Sequence, residues 1–108
     1  LDRFASKSWD MVFSSHLLEH IEYEKVPSTL SEWSRVVKQG GHLCLYVPDE
    51  EEYPKVGEKG ANPDHKWNVN YDKVVSAMGT VPRNWDLIDF QKRKELDEYS
   101  LFFVFKLQ

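Results

Sequence analysis

The sequence predicts an α/β domain, and three observations carry that prediction. A short apolar run of strand-forming residues, Trp9–Ser15, is bounded by polar residues and is too short for a helix. Apolar residues at helical spacing come next, and a second apolar run, His42–Val47, follows a pair of glycines. This order of strand, helix and strand is a βαβ unit, whose crossover is expected to be right-handed.

The first strand leads into a helical region. Trp9–Ser15 is expected to be a buried strand, and the residues from His16 to Tyr23 are expected to form a short helical turn. Pro27 and Ser28 suit the first turn of the main helix, and Gly40-Gly41 after Lys38 suits its C-cap. Four apolar residues share one face of this helix: Val26, Leu30, Trp33 and Val37.

The second half of the chain supplies a further helix and two strands. His42–Val47 is apolar on both alternating faces, as in a strand covered by helices on both sides, and Pro48 ends it. Residues from Asp49 to Asn70 lose periodicity and are expected to form a long loop. The remaining elements are a helix from Tyr71 to Met78, capped by Asn70 and stopped by Gly79, a strand from Trp85 to Phe90, a polar turn from Gln91 to Glu98 and a strand from Tyr99 to Leu107. The last strand is apolar on both faces and therefore belongs in the middle of a sheet.

Composition limits the class of protein. The 108 residues can form one domain, and 14% aromatic residues are more than a disordered segment carries. The formal charge of −4 argues against a nucleic-acid partner, because such proteins need clustered Lys and Arg. No apolar run is long enough to span a bilayer, and Cys44 has no second cysteine for a disulfide. A cytoplasmic protein without membrane contact is expected.

Two stretches of the chain together resemble a known family. Trp9–Ile21 contains an apolar strand followed by His16-Leu17-Leu18-Glu19-His20, and Trp33–Gly41 leads into the apolar run Leu43–Pro48. This pattern resembles the fourth strand, connecting helix and fifth strand of class I S-adenosylmethionine-dependent methyltransferases of the type 11-like group. Val37 and Gln39 stand where the family usually has Leu and Pro. The segment Asn62–Trp67 also resembles a loop of some of these enzymes, so the resemblance covers nearly the whole chain.

The resemblance implies a partial Rossmann-like sheet with two main helices. Its strands would follow the spatial order four, five, seven, six, with the last strand antiparallel. The family builds its methyl-donor site largely from a glycine-rich turn after the first strand, yet no Gly-x-Gly occurs in this sequence. The chain is therefore expected to be a single truncated methyltransferase-like domain, residues 1–108, that lacks the donor site and is inactive by itself. The alternative is a non-enzymatic α/β module that associates with itself.

The resemblance also implies positions for a functional site. Ser14, Ser15 and His16 would lie beside the methionine portion of S-adenosylmethionine, which would bind if a complete site were assembled. His20 is the candidate catalytic residue facing the methyl acceptor. In the long loop, His65 and Trp67 are candidates for binding the acceptor, whose identity the sequence does not give.

Two segments contain residue types that bind metal ions in other proteins. His16-Leu17-Leu18-Glu19-His20 matches a His-x-x-Glu-His zinc pattern, which requires both His on one helical face and a third ligand such as Glu95 or Glu98. A strand that leads directly into His16 disfavours that helix. The acidic run Asp49–Glu52 is better explained as a solvated strand exit than as a cation site. The sequence therefore predicts no metal.

The resemblance has a consequence for assembly. In the complete fold the fourth strand is interior, so residues from Asp10 to Ser15 would here form an apolar edge with unpaired backbone groups. Exposed apolar surface of that size is usually covered in solution. A homodimer formed through this strand is therefore expected.

Overall fold

The computed structural model describes residues 4–49, 66–93 and 99–108. In these residues the elements are β1 (Trp9–Ser15), α1 (Val26–Arg35), β2 (Val37–Pro48), α2 (Tyr71–Met78), β3 (Trp85–Arg93) and β4 (Ser100–Leu107). Two short 3-10 turns, Leu18–His20 and Tyr23–Lys25, take the place of the single helical turn expected after β1. The described residues do not include Glu50–Glu52 of the acidic run or the candidate acceptor-binding residue His65. They also do not include Glu95 and Glu98, the possible third ligands of the zinc pattern.

The four strands form one sheet in the order β1-β2-β4-β3. β1 and β2 are parallel, while β4 runs antiparallel to both of its neighbours, β2 and β3. This arrangement confirms the predicted order four, five, seven, six with the last strand antiparallel. It also confirms that the strand with two apolar faces, β4, lies inside the sheet.

Both helices pack on one side of this sheet, here called the helix-covered face. The β1 to β2 and β2 to β3 connections each join parallel strands and advance in the same direction across the sheet, so right-handed crossovers place α1 and α2 on the same face. One core cluster joins the two helices to the sheet, and its most buried members include Val26, Leu30, Val74, Met78, Leu43, Leu45, Phe103 and Phe105.

The opposite side, here called the open face, overturns two expectations: that β1 is a buried strand, and that β2 is covered by helices on both sides. Met11 and Phe13 of β1 are 54% and 55% exposed, and Tyr46 of β2 is half-buried. Phe102 of β4 lies on the same face, where its ring meets those of Phe13 and Tyr46. Apolar periodicity predicted two apolar faces for β2 and β4, but the crossovers decide which face of the sheet receives the helices.

The end of α1 differs from the prediction. The helix ends at Arg35, and Val37 already belongs to β2, because the backbone N–H groups of Ser8 and Trp9 both donate to the Val36 carbonyl at 2.9 Å. The predicted cap, Gly40-Gly41, lies inside β2. There the register shifts from Trp9 opposite Val37 to Met11 opposite His42, and Gly40 adopts a φ of 80°. Pairing with β1 thus ends the helix before the glycines are reached.

The second helix agrees with the prediction. α2 spans Tyr71–Met78, and the Asn70 side chain accepts a hydrogen bond from the backbone N–H of Lys73 at 2.8 Å. β3 continues to Arg93, three residues beyond its predicted end. Its polar extension pairs with the start of β4, which hydrophobic periodicity does not detect. In the described part of the chain no helix is both long and apolar enough to cross a membrane.

Candidate functional site

The candidate site lies where the edge strand β1 ends. The backbone N–H of His16 still donates to the Tyr46 carbonyl at 2.7 Å, which extends the β1–β2 pairing by one residue. His16 itself has a φ of 52°, in the left-handed region that non-glycine residues rarely adopt. The chain therefore turns sharply at His16, directly at the carboxyl end of the parallel pair. In open α/β sheets this is the end at which ligands bind.

His16 faces a buried carboxylate. Its Nδ1 lies 3.5 Å from Oε2 of Glu19, a distance in the ion-pair range. The Glu19 side chain is completely buried, whereas 41% of the His16 side chain is exposed. The imidazole also meets the Tyr46 ring edge-to-face with centroids 5.1 Å apart. The imidazole is thus oriented by two side chains and remains accessible to solvent.

The turn that carries Glu19 is held by residues far along the chain. The indole N–H of Trp67 donates to the Leu18 carbonyl at 3.1 Å, and the backbone N–H of Lys66 donates to the Glu19 carbonyl at 2.8 Å. Trp67 is 7% exposed and packs edge-to-face on Tyr23. Trp67 therefore anchors the turn beside the site.

The structure brings most of the predicted site residues to this end of the sheet. Ser14 is buried, and its hydroxyl has no hydrogen-bond partner among the described residues; Ser15 next to it is exposed. His16 follows directly, and half-buried His20 closes the 3-10 turn. His65 lies outside the described residues. The roles assigned to these five residues and to Trp67 in donor binding, catalysis or acceptor binding stay predictions.

The geometry does not form the helix that a zinc pattern needs. His16 has a left-handed backbone, and the residues from Leu18 to His20 form a single 3-10 turn, so the two His do not occupy successive turns of one α-helix. Within residues 4–49, 66–93 and 99–108, no group of three or more His, Cys, Asp or Glu side chains is placed to hold a metal ion.

Sequence reasoning missed two contributors. The sequence pattern assigns Glu19 only to the zinc motif and Tyr46 only to an apolar strand. The parallel register places Ser15 opposite Tyr46, and this pairing brings the Tyr46 ring to His16. The signal in the sequence for Glu19 was the helical turn predicted after His16. In a helical turn, a residue three positions further along lies on the same side, which brings Glu19 near His16.

Two shallow surface hollows lie away from this site. One is lined by residues at the start of β1 and β2, among them Asp10, Lys38 and His42, and the other by Lys7, Val81, Arg83 and Gln108. The first hollow lies at the amino-terminal ends of the parallel strands, opposite the end where open sheets bind ligands. Its Lys38 amine and Asp10 carboxylate form an exposed ion pair at 2.8 Å. The carboxyl ends of β1 and β2, beside His16, therefore remain the better candidate for a functional site.

Comparison with known proteins agrees with this topology. Residues 1–45 match the sequence pattern of a family described as methyltransferase domain. The fold is similar to that of an SAM-dependent methyltransferase from Archaeoglobus fulgidus, with a TM-score of 0.71 and 14% identity over 97% of this chain. The described strands and helices have the fold of part of a class I methyltransferase. No curated protein matches this methyltransferase-like domain in sequence.

Two further structures show the same likeness. An S-adenosylmethionine dependent methyltransferase from Mesorhizobium loti gives a TM-score of 0.73 at 13% identity over 95% of this chain. The PH0226 protein from Pyrococcus horikoshii gives 0.69 at 18% identity over 98%. The methyltransferase-like domain spans 62%, 63% and 55% of these three structures, in the order given. Its length is therefore less than two thirds of the structures it resembles.

Proposed function

We propose that the chain is the carboxyl-terminal half of an S-adenosylmethionine-dependent methyltransferase and contributes one wall of the site. The donor would supply a methyl group on a positively charged sulfur, and an acceptor atom held in line would take it. Catalysis in such a transfer comes mostly from proximity and orientation. A segment outside these 108 residues would supply the other wall, so this chain would be inactive by itself.

The exposed edge of β1 is the observation that carries this proposal. β1 pairs with β2, and no other described strand lies along its second edge. Trp9, Met11 and Phe13 on this strand are between 49% and 55% exposed. Such an edge is a template for pairing with another strand. A strand added there would place its own carboxyl or amino end beside His16, and thereby complete a crevice.

The residues present fit only a part of the donor. The buried hydroxyl of Ser14, exposed Ser15 and His16 lie at one strand end, where they would contact the methionine portion. The adenosine and the carboxylate of the donor need further polar groups, for which family members use the glycine-rich turn that this sequence lacks. We therefore propose that these three residues contribute to donor binding without being sufficient for it.

Calorimetric titration with S-adenosylmethionine and S-adenosylhomocysteine tests the proposal. The 108-residue chain is expected to give no binding heat at millimolar ligand, whereas the longest polypeptide encoded by its reading frame is expected to bind at micromolar concentration. Micromolar binding by the 108 residues would show that they need no second half. Absence of binding by a longer polypeptide that contains a glycine-rich turn would contradict the assignment to this reaction.

A second candidate function is a non-enzymatic module that forms a homodimer through the strand Asp10–Ser15. The exposed apolar side chains of Met11 and Phe13 on the open face beside this edge favour it, because large exposed apolar surface is covered in most soluble proteins. Light scattering of the chain at high micromolar concentration tests it. A dimer that dissociates in Phe13→Lys supports the module, and Ile88→Lys on the opposite edge strand, where Ile88 is 53% exposed, is the matched control. A monomer at every concentration contradicts it.

We further propose that the protein acts in the cytoplasm. Cys44, the one cysteine of the sequence, is buried, and burial raises the pKa of its thiol. A protonated, buried thiol suits a reducing compartment but does not require one. Fractionation of cells that express a tagged chain tests this location, and recovery in a secreted or membrane fraction would contradict it.

A further inference from the structure

We draw no further inference here: the strongest candidate, the aromatic cluster that Phe13, Tyr46 and Phe102 form on the open face of the sheet, carries nothing, because nothing in the described part of the chain shows what covers it.

Discussion

At the scale of single residues, Arg83 joins three parts of the chain that are distant in sequence. Its Nη1 donates to the carbonyls of Ser34 at 2.6 Å and Val37 at 2.5 Å, and its Nη2 donates to the Gln108 carbonyl at 3.0 Å. Ser34 lies in the last turn of α1, where a cation suits the helix dipole, and Val37 is the first residue of β2. Arg83 is half-buried, which limits screening by solvent.

Arg83→Ala is therefore expected to lower the free energy of unfolding by about 2 kcal/mol. Urea denaturation followed by tryptophan fluorescence measures the loss. Arg83→Lys, which keeps the charge but not the forked geometry, should recover only a part of it. Equal stability of the wild type and Arg83→Ala would contradict a structural role for this network.

Glu32 has a pKa that depends on one neighbouring side chain. The Arg35 guanidinium donates to its carboxylate, with the shortest contact at 2.7 Å, and this hydrogen bond lowers the pKa of Glu32. Because the folded-state pKa lies below the unfolded one, the stabilising contribution is present above the unfolded pKa and disappears as the pH falls through the folded pKa.

Arg35→Ala is expected to raise the pKa of Glu32 back toward its ordinary value, which carboxyl NMR titration measures. In the same variant, stability should fall less steeply on acidification, because one group no longer differs between the folded and unfolded states. Arg35→Lys should leave the pKa between the two. A Glu32 pKa that does not change in Arg35→Ala would show that the hydrogen bond is not formed in solution.

At the scale of elements, the two glycines of β2 have different functions. A Cβ at Gly41 would lie 2.5 Å from the Asp10 carbonyl and 2.7 Å from a Val37 methyl, so this position permits β1 and β2 to approach. Gly40 has open space around it, and there only its φ of 80° favours glycine.

Gly41→Ala is expected to cost about 3 kcal/mol, because backbone must move to remove the overlap with Asp10. Gly40→Ala should cost about 1 kcal/mol through its left-handed backbone, and Gly40→Asn less, because Asn tolerates that region. Thermal unfolding of the three variants compares them. A Gly41→Ala variant no less stable than Gly40→Asn would contradict the close approach of the two strands.

At the scale of the whole molecule, one sheet carries two unlike faces. Phe103 is fully buried on the helix-covered face of β4, between the rings of Phe90 and Phe105. Phe13 on β1 has the same side chain but is 55% exposed on the open face. The apolar core of the described chain therefore lies between the sheet and its two helices.

Phe103→Ala is expected to lose about 4 kcal/mol of stability through the cavity it leaves. Phe13→Ala in the isolated chain should lose less than about 1 kcal/mol. Urea denaturation at low and high protein concentration compares the two. A cost at Phe13 that appears only at high concentration would support the homodimer, and a large cost at low concentration would contradict the open face.

The predictions from sequence succeeded where local chemistry decides. The cap of α2 at Asn70 and the bounds of β1 follow from side-chain preferences and apolar runs, which neighbouring residues determine. The strand order followed from the family resemblance, and the structure confirms it. The predicted end of α1 was wrong. Apolar periodicity continues to Val37, but Val37 pairs with Trp9 of β1 and so leaves the helix.

The sequence by itself determined the order of the helices and strands, the interior position of β4 and the absence of a glycine-rich turn. Only the tertiary structure decided which face the helices cover, since that depends on the hand of two crossovers. It alone also brought Glu19 and Tyr46 to His16, because this requires a left-handed turn at one residue and a parallel register with another strand. Both depend on contacts between residues distant in the chain, and a local pattern does not contain them.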